Sequence, residues 1–94
     1  MINGDVHEFI DLLSHGFEVV FVYNQKKYFA QGVCPDGVNC ELQVDQWEPI
    51  PETEGYIWTK KSKDKYDIEA FLNAPIFEGK TFWEIQEETE WVDC

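Results

Sequence analysis

The run from residue 17 to residue 23 constrains the fold most, because it is apolar on both faces of an extended chain. Except for Glu18, its residues are aromatic or β-branched, the types that are enriched in strands. A strand of this kind belongs in the middle of a sheet, where both of its faces are buried. With 94 residues, the chain has room for one domain, residues 1–94, and one core built on that sheet.

Two segments after this strand predict its neighbours along the chain. The turn Asn24-Gln25 leads into a second strand over residues 27–33. Pro35-Asp36-Gly37 predicts another turn, since proline fixes φ, aspartate bonds its own backbone and glycine takes positive φ. Over residues 38–44 apolar and polar side chains then alternate strictly, which predicts a third strand with one buried face and one wet, acidic face.

Three further segments complete the predicted sheet. Two prolines within residues 46–55 predict an acidic loop, because proline fits neither a helix interior nor a central strand. Residues 56–59 favour a fourth strand at an edge of the sheet, and a basic patch follows at residues 60–65. The tail at residues 90–94 favours a last short strand.

Capping signals predict the first helix. Asp5 and Glu8 form a capping-box pattern, and the apolar residues that follow have the spacing of one helical face. The helix therefore covers residues 5–15, and Gly16 supplies the left-handed residue that commonly ends a helix.

Two short helices are predicted near the C-terminus. One ends before Pro75, which disfavours helical geometry in the preceding residue. The other begins with a second capping box, formed by Thr81 and Glu84. The complete order predicts an α+β fold, an antiparallel three- to four-stranded meander with an N-terminal helix and two short C-terminal helices on one face.

Several short stretches resemble a group of small uncharacterised acidic proteins of bacteria and phages. They are residues 8–13, residues 21–24 with Lys27-Tyr28, and the sequence Phe-Glu-Gly-Lys-Thr at residues 77–81. The resemblance implies an N-terminal helix, an aromatic β-hairpin, a late helix start and a cytoplasmic location, and it implies no activity. In those proteins the hairpin turn is Asn-Gly, whereas Gln25 follows Asn24 here, which argues against a type I′ turn.

The charge balance excludes several kinds of ligand. The chain carries 19 Asp and Glu residues against 7 lysines and no arginine, which gives a formal net charge of −12. Direct binding to nucleic acid is excluded, because affinity for phosphates comes from Lys and Arg that displace counterions. An anionic membrane is excluded for the same reason. No apolar run is long enough for a signal peptide or a spanning helix, so we expect a cytoplasmic protein.

The residue types that carry chemistry form no recognisable catalytic or cofactor motif. Cys34, Cys40 and Cys94 cannot all pair within one chain, and in a reducing cytoplasm we expect free thiols. A bridge between Cys34 and Cys40, which flank a turn, is the alternative. With His7 and His15 the cysteines lack the close paired spacing of zinc sites. We therefore predict no catalytic residue, no metal site and no cofactor.

The acidic residues are concentrated in two segments without lysine, residues 41–59 and 81–94. Such segregation predicts a surface for a basic partner, with a tryptophan of each segment as an anchor. The predicted partner-binding residues are Glu41, Asp45, Trp47, Glu48, Glu52, Glu54, Glu84, Glu87, Glu88, Glu90, Trp91 and Asp93. The alternative is that the acidic surface only keeps the domain soluble and that both tryptophans cover the core.

Rows of carboxylates can occupy sites that are built for phosphates. The leading hypothesis is therefore a non-enzymatic inhibitor of a basic, nucleic-acid-handling protein, of the kind that phages use against restriction and CRISPR systems. An immunity or antitoxin protein that neutralises a cationic nuclease toxin uses the same electrostatics and is the alternative. A soluble α+β domain without such a partner, and a small enzyme or metal protein, are the remaining hypotheses.

Overall fold

The computed structural model describes residues 1–49 and 55–93 of the chain. The helices are α1 (Val6–Ser14), α2 (Ile68–Asn73) and α3 (Phe82–Ile85), and a single 3-10 turn at Gln86–Glu88 follows α3. The strands are β1 (Val19–Tyr23), β2 (Lys26–Val33), β3 (Asn39–Glu48), β4 (Trp58–Lys63) and β5 (Glu90–Asp93). These strands form one antiparallel sheet in the order β4-β3-β2-β1-β5.

The predicted α+β class and the antiparallel meander are confirmed, and the strand favoured for the tail joins the sheet as a fifth strand, beyond the three or four of the predicted meander. Strands β1 to β4 are neighbours in chain order, and β5 pairs with the other side of β1. β1 therefore has the interior position that its two apolar faces predict. The sheet has five strands rather than three or four because the tail returns to pair with an edge that β1 would otherwise expose.

β3 and β4 include residues that the sequence assigned elsewhere. β3 continues through Trp47 to Glu48, which the sequence placed in a loop. β4 includes most of the lysines of the predicted basic patch, and Lys61 faces Glu41 across the two strands. Charges that are segregated along the chain thus become neighbours across the sheet, because directly opposite residues lie about 5 Å apart.

The predicted capping residues begin α1 and α3 where expected, but the capping box predicted from Asp5 and Glu8 is only half formed, because Glu8 makes no reciprocal hydrogen bond among the described residues. The Asp5 carboxylate accepts a hydrogen bond from the His7 backbone N–H at 2.7 Å and caps α1. At α3 the capping box is complete, since the Glu84 N–H donates to Thr81 Oγ1 at 3.3 Å and the Thr81 N–H donates to Glu84 Oε1 at 3.0 Å. α3 has only four residues, because the chain tightens into the 3-10 turn before it reaches β5.

An aromatic core joins the three helices to one face of the sheet. Phe21 of β1 is fully buried, and its ring lies 5.5 Å from that of Phe9 in α1 and 6.1 Å from that of Phe82 in α3. Phe71 of α2 reaches Phe82 at 5.4 Å between ring centroids. Because these contacts fall on alternate residues of the strands, they use only one face of the sheet.

Two glycines provide the space for Tyr66 at one end of this core. The Gly32 N–H donates to the Gly16 carbonyl at 3.1 Å, and the tyrosine ring lies over both residues. A Cβ on Gly32 would lie 2.4 Å from Tyr66 Cε1, and a Cβ on Gly16 would lie 2.7 Å from Cε2. Since real Cβ atoms do not approach carbon so closely, only glycine fits at both positions without a shift of the ring.

The turn between β1 and β2 has the positive φ values of type I′, so the prediction made from Gln25 is wrong. Asn24 and Gln25 have φ values of 48° and 66°, and type I′ requires positive φ at both central residues. A tertiary contact holds this geometry, because the Asn24 amide donates to Glu78 Oε2 at 2.7 Å and Lys26 Nζ donates to Glu78 Oε1 at 3.2 Å. The same two hydrogen bonds lower the pKa of the Glu78 carboxyl group, and the bond from Asn24 has the larger effect.

The expectation of three free thiols is wrong for two of them. A disulfide joins Cys34 and Cys40, whose Cα atoms lie 4.2 Å apart. The turn between them is closed by Asp36, whose carboxylate accepts hydrogen bonds from the backbone N–H groups of Val38 at 2.9 Å and Asn39 at 2.6 Å. This turn brings the two sulfurs together, which the sequence spacing alone did not establish. Cys94 lies outside the described residues.

Candidate functional site on the open face of the sheet

The two faces of the sheet differ in what covers them. α1, α2 and α3 pack on the face that carries Phe21 and Tyr28, which we call the covered face. The opposite face, which we call the open face, carries no helix of residues 1–49 or 55–93. Since successive residues of a strand point to opposite faces, the strand register assigns each residue to one of them.

Four apolar side chains cross the open face as a continuous strip, which we call the aromatic strip: Val20, Val22, Phe29 and Trp47. Val20 faces Phe29 across β1 and β2. The rings of Phe29 and Trp47 are stacked at 4.7 Å with an interplanar angle of 10°. Trp47 is 44% exposed, and the other three side chains are half-buried. An uncovered stacked aromatic pair beside valines is typical of a binding surface.

Carboxylates border the aromatic strip on both sides. On the β3 side, Asp45 faces Phe29 in register, and Glu48 faces Lys27, with 3.9 Å between Lys27 Nζ and Glu48 Oε1. On the β5 side, Glu90 lies on the open face at the other border. β3 and β5 are three strand spacings apart, so the two borders are separated by about 14 Å. The structure thus brings two acidic segments that are distant in sequence to one surface.

Beyond the aromatic strip the open face becomes polar and then mixed in charge. Gln31 Nε2 donates to Gln43 Oε1 at 3.2 Å, and Gln43 Nε2 donates to Glu41 Oε1 at 2.7 Å. A groove of about 640 Å³ lies here, with Val33 and Lys61 among its lining residues. Glu41, which was predicted to bind a partner, therefore lies among amides and opposite a lysine rather than on a uniformly acidic surface.

The predicted acidic residues around α3 form a second group away from the open face. Glu87 and Glu88 are exposed on the 3-10 turn. Glu84 is engaged in the capping box, and the hydrogen bond from the Thr81 backbone N–H lowers the pKa of its carboxyl group. Trp83, 45% exposed, lies beside them in α3. The carboxylate of Glu84 thus stabilises a helix start, whereas those of Glu87 and Glu88 have no such task in the described structure.

Of the remaining predicted site residues, Trp91 is separated from the aromatic strip. Trp91 lies on the covered face, where its ring meets the Phe9 ring edge-to-face at 5.5 Å. Trp91 and Trp47 therefore point to opposite sides of the sheet. Asp93 pairs through its backbone at the end of β5. Glu52 and Glu54 lie outside the described residues.

Sequence reasoning missed the half-buried Phe29 of the aromatic strip and the exposed Trp83. Phe29 alternates with the buried Tyr28 within β2, so the period of the strand could have assigned it to the face opposite the core. Its stacking on Trp47 depends on the register of β2 and β3, which the sequence does not specify. Trp83 follows the buried Phe82 at the start of a helix too short to show a periodic pattern.

Within residues 1–49 and 55–93, no three His, Cys, Asp or Glu side chains are grouped so that they could hold a metal ion. In the same residues no helix has the length and apolar character needed to cross a membrane.

Comparison of the chain with protein-family models, with curated proteins and with solved structures finds no match. The candidate site therefore stands on its own geometry, an aromatic strip with carboxylates on both borders.

Proposed function

We propose that this chain is a non-enzymatic binding protein that docks its open face on a basic, nucleic-acid-handling protein and inhibits it. One observation carries the proposal: two lysine-free acidic segments provide carboxylates on opposite borders of one uncovered aromatic strip. The centre of the aromatic strip is apolar, and the polar groove on the same face lies beyond it, so the strip resembles a binding surface more than a catalytic cleft with convergent polar groups. Apolar centres with charged rims are the usual anatomy of protein interfaces.

The charges of the chain explain why the partner is basic. Lysine ion pairs within 4.0 Å reach only Glu48 and Glu78 among the described acidic residues. The remaining negative potential speeds association with a cationic surface and repels acidic proteins. A groove that normally binds phosphates is such a surface, and carboxylates on both borders of the strip can occupy its cationic sites.

The acidic residues of the 3-10 turn have a different part in this proposal. Glu87 and Glu88 lie on the 3-10 turn away from the aromatic strip, so in this proposal they act through their charge. Solvated rim charges change the association rate and its salt dependence, whereas charges beside a buried contact also slow dissociation. The two groups of acidic residues can therefore be distinguished experimentally.

The test uses two charge-reversed variants with equal changes in net charge. One carries Asp45→Lys and Glu48→Lys beside the aromatic strip, and the matched control carries Glu87→Lys and Glu88→Lys. Glu84 is left unchanged because its carboxylate caps α3. Partners are captured from lysate at low and high salt and identified by mass spectrometry, and each purified partner is assayed for inhibition and affinity.

We expect a basic nucleic-acid-handling partner whose activity is inhibited and whose affinity falls steeply between about 50 and about 200 mM salt. The strip variant should lose at least about tenfold more affinity than the control variant, since charges at a desolvated contact are the costly ones to remove. A restriction or CRISPR component identifies an anti-defence role, and a nuclease toxin identifies an immunity role. Salt-independent capture, or equal losses in both variants, contradicts the proposal.

A further inference from the structure

We infer that the aromatic strip recognises an arginine of the partner, whose guanidinium group stacks on the Trp47 indole between the carboxylates of Asp45 and Glu48. The inference rests on the proposed function, because it names the side chain through which a basic partner docks. It extends that function from general charge complementarity to one recognised chemical group.

The stacked pair provides the surface on which a planar cation can lie. Phe29 packs against the Trp47 ring at 4.7 Å and nearly parallel to it, which holds the indole in a fixed orientation. Trp47 still exposes 44% of its surface. Tryptophan is the aromatic residue that attracts cations most strongly, and a fixed ring costs little entropy when a ligand stacks on it.

The neighbouring carboxylates provide the charge. Asp45 faces Phe29 in register and Trp47 stacks on the Phe29 ring, so both lie on the open face. Trp47 lies at a bulge in the pairing of β3 with β2, and Glu48 follows it opposite Lys27. Glu48 has Lys27 as its nearest cation, but the 3.9 Å between their charged atoms is too long for a hydrogen bond. The Glu48 carboxylate therefore remains able to accept hydrogen bonds from an incoming donor.

Arginine satisfies this arrangement better than lysine. Its guanidinium group is planar, weakly hydrated and able to donate two parallel hydrogen bonds while its face stacks on a ring. Lysine offers a strongly hydrated point charge without a stacking face. The chain itself contains no arginine, so a second copy of it cannot provide this group and the occupant is a different protein.

The experiment measures two synthetic peptides of equal length and charge, one carrying arginine and the other lysine, against the full chain at low salt. Calorimetry gives the affinities, and the Trp47 indole N–H signal in NMR spectra reports where each peptide binds. The variant Trp47→Leu keeps an apolar side chain but removes the π face. Trp83→Leu is the matched control, because Trp83 is equally exposed and also has acidic neighbours.

We expect the arginine peptide to bind about three- to thirtyfold more tightly than the lysine peptide and to shift the Trp47 signal. Trp47→Leu should reduce that ratio to near one, whereas Trp83→Leu should leave it unchanged. Equal affinities for the two peptides, or a ratio that survives Trp47→Leu, would overturn the inference while leaving the proposed function intact. Failure of both peptides to bind at low salt would overturn the inference and the proposed function together.

Discussion

The two faces of the sheet are built from the same strands but use aromatic residues in opposite ways. On the covered face, Phe21 faces Tyr28 across β1 and β2, and both rings are buried under the helices. One residue along, Val20 faces Phe29 on the open face, and both are only half-buried. The covered face gains stability from complete burial, whereas the open face keeps apolar surface that no helix of residues 1–49 or 55–93 covers.

The largest expected difference between the faces comes from removing one phenylalanine ring from each. Phe21→Ala should lower the free energy of unfolding by about 3–5 kcal/mol, because it leaves a cavity among close-packed rings. Phe29→Ala should lower it by about 1 kcal/mol, because a half-buried ring loses less apolar contact and leaves no enclosed cavity. Denaturant titration of both variants measures the difference. Equal losses would mean that the open face is covered in solution.

Adding a methyl group tests the same contrast from the other direction. Gly32→Ala should cost roughly 1–3 kcal/mol, because its Cβ would overlap the Tyr66 ring on the covered face. Its chain neighbour Gln31 lies on the open face, and Gln31→Ala should change stability by no more than about 0.5 kcal/mol. Thermal or denaturant unfolding compares the two variants, and a Gly32→Ala protein as stable as Gln31→Ala would contradict the close packing described for Tyr66.

The smallest expected effect concerns a turn that belongs to neither face. Backbone hydrogen bonds from Asn39 and Val38, and a side-chain bond from Asn39, hold the pKa of Asp36 at about 2, below its ordinary value of 3.8. Because the folded state lowers this pKa, the stabilisation is complete above the ordinary value and is lost as the pH falls through about 2.

The variant Asp36→Ala measures this contribution. The wild-type chain should be more stable than the variant by a constant amount from about pH 7 to about pH 5, and the difference should shrink as the pH approaches about 2. Unfolding titrations of both proteins over this range provide the measurement. A stability difference that stays the same in acid would show that the Asp36 carboxylate does not support the turn.

Local sequence signals predicted much of the fold because each one acts within a few residues. Asp5 and Thr81 begin their helices through hydrogen bonds to backbone groups two or three residues away. Pro75 ends α2 in the same local way. Signals that depend on distant partners predicted less, and Gln25 is the clearest case, since its left-handed conformation accompanies the bond between Asn24 and Glu78.

The same division between local signals and signals that depend on distant partners applies to the candidate site. The sequence identified Trp47, Asp45, Glu48 and Glu90 as members of acidic segments, but it treated Trp91 as equivalent to Trp47. Successive side chains of a strand point to opposite faces of the sheet. A tryptophan can therefore be assigned to a face only when its partner strand and register are known. The pairing of Trp91 with Phe21 places it on the covered face, and the stacking of Trp47 on Phe29 places it on the open face.

The sequence by itself determined that the chain is acidic, that it folds around an interior strand and that its helices begin at particular caps. These properties follow from composition and from interactions between residues close in the chain. Tertiary structure alone decided which charges meet, because antiparallel pairing set Lys61 opposite Glu41 and brought Glu90 to the same surface as Asp45. Charge segregation along the chain therefore became an acidic, aromatic region at one end of the open face and a mixed region at the other.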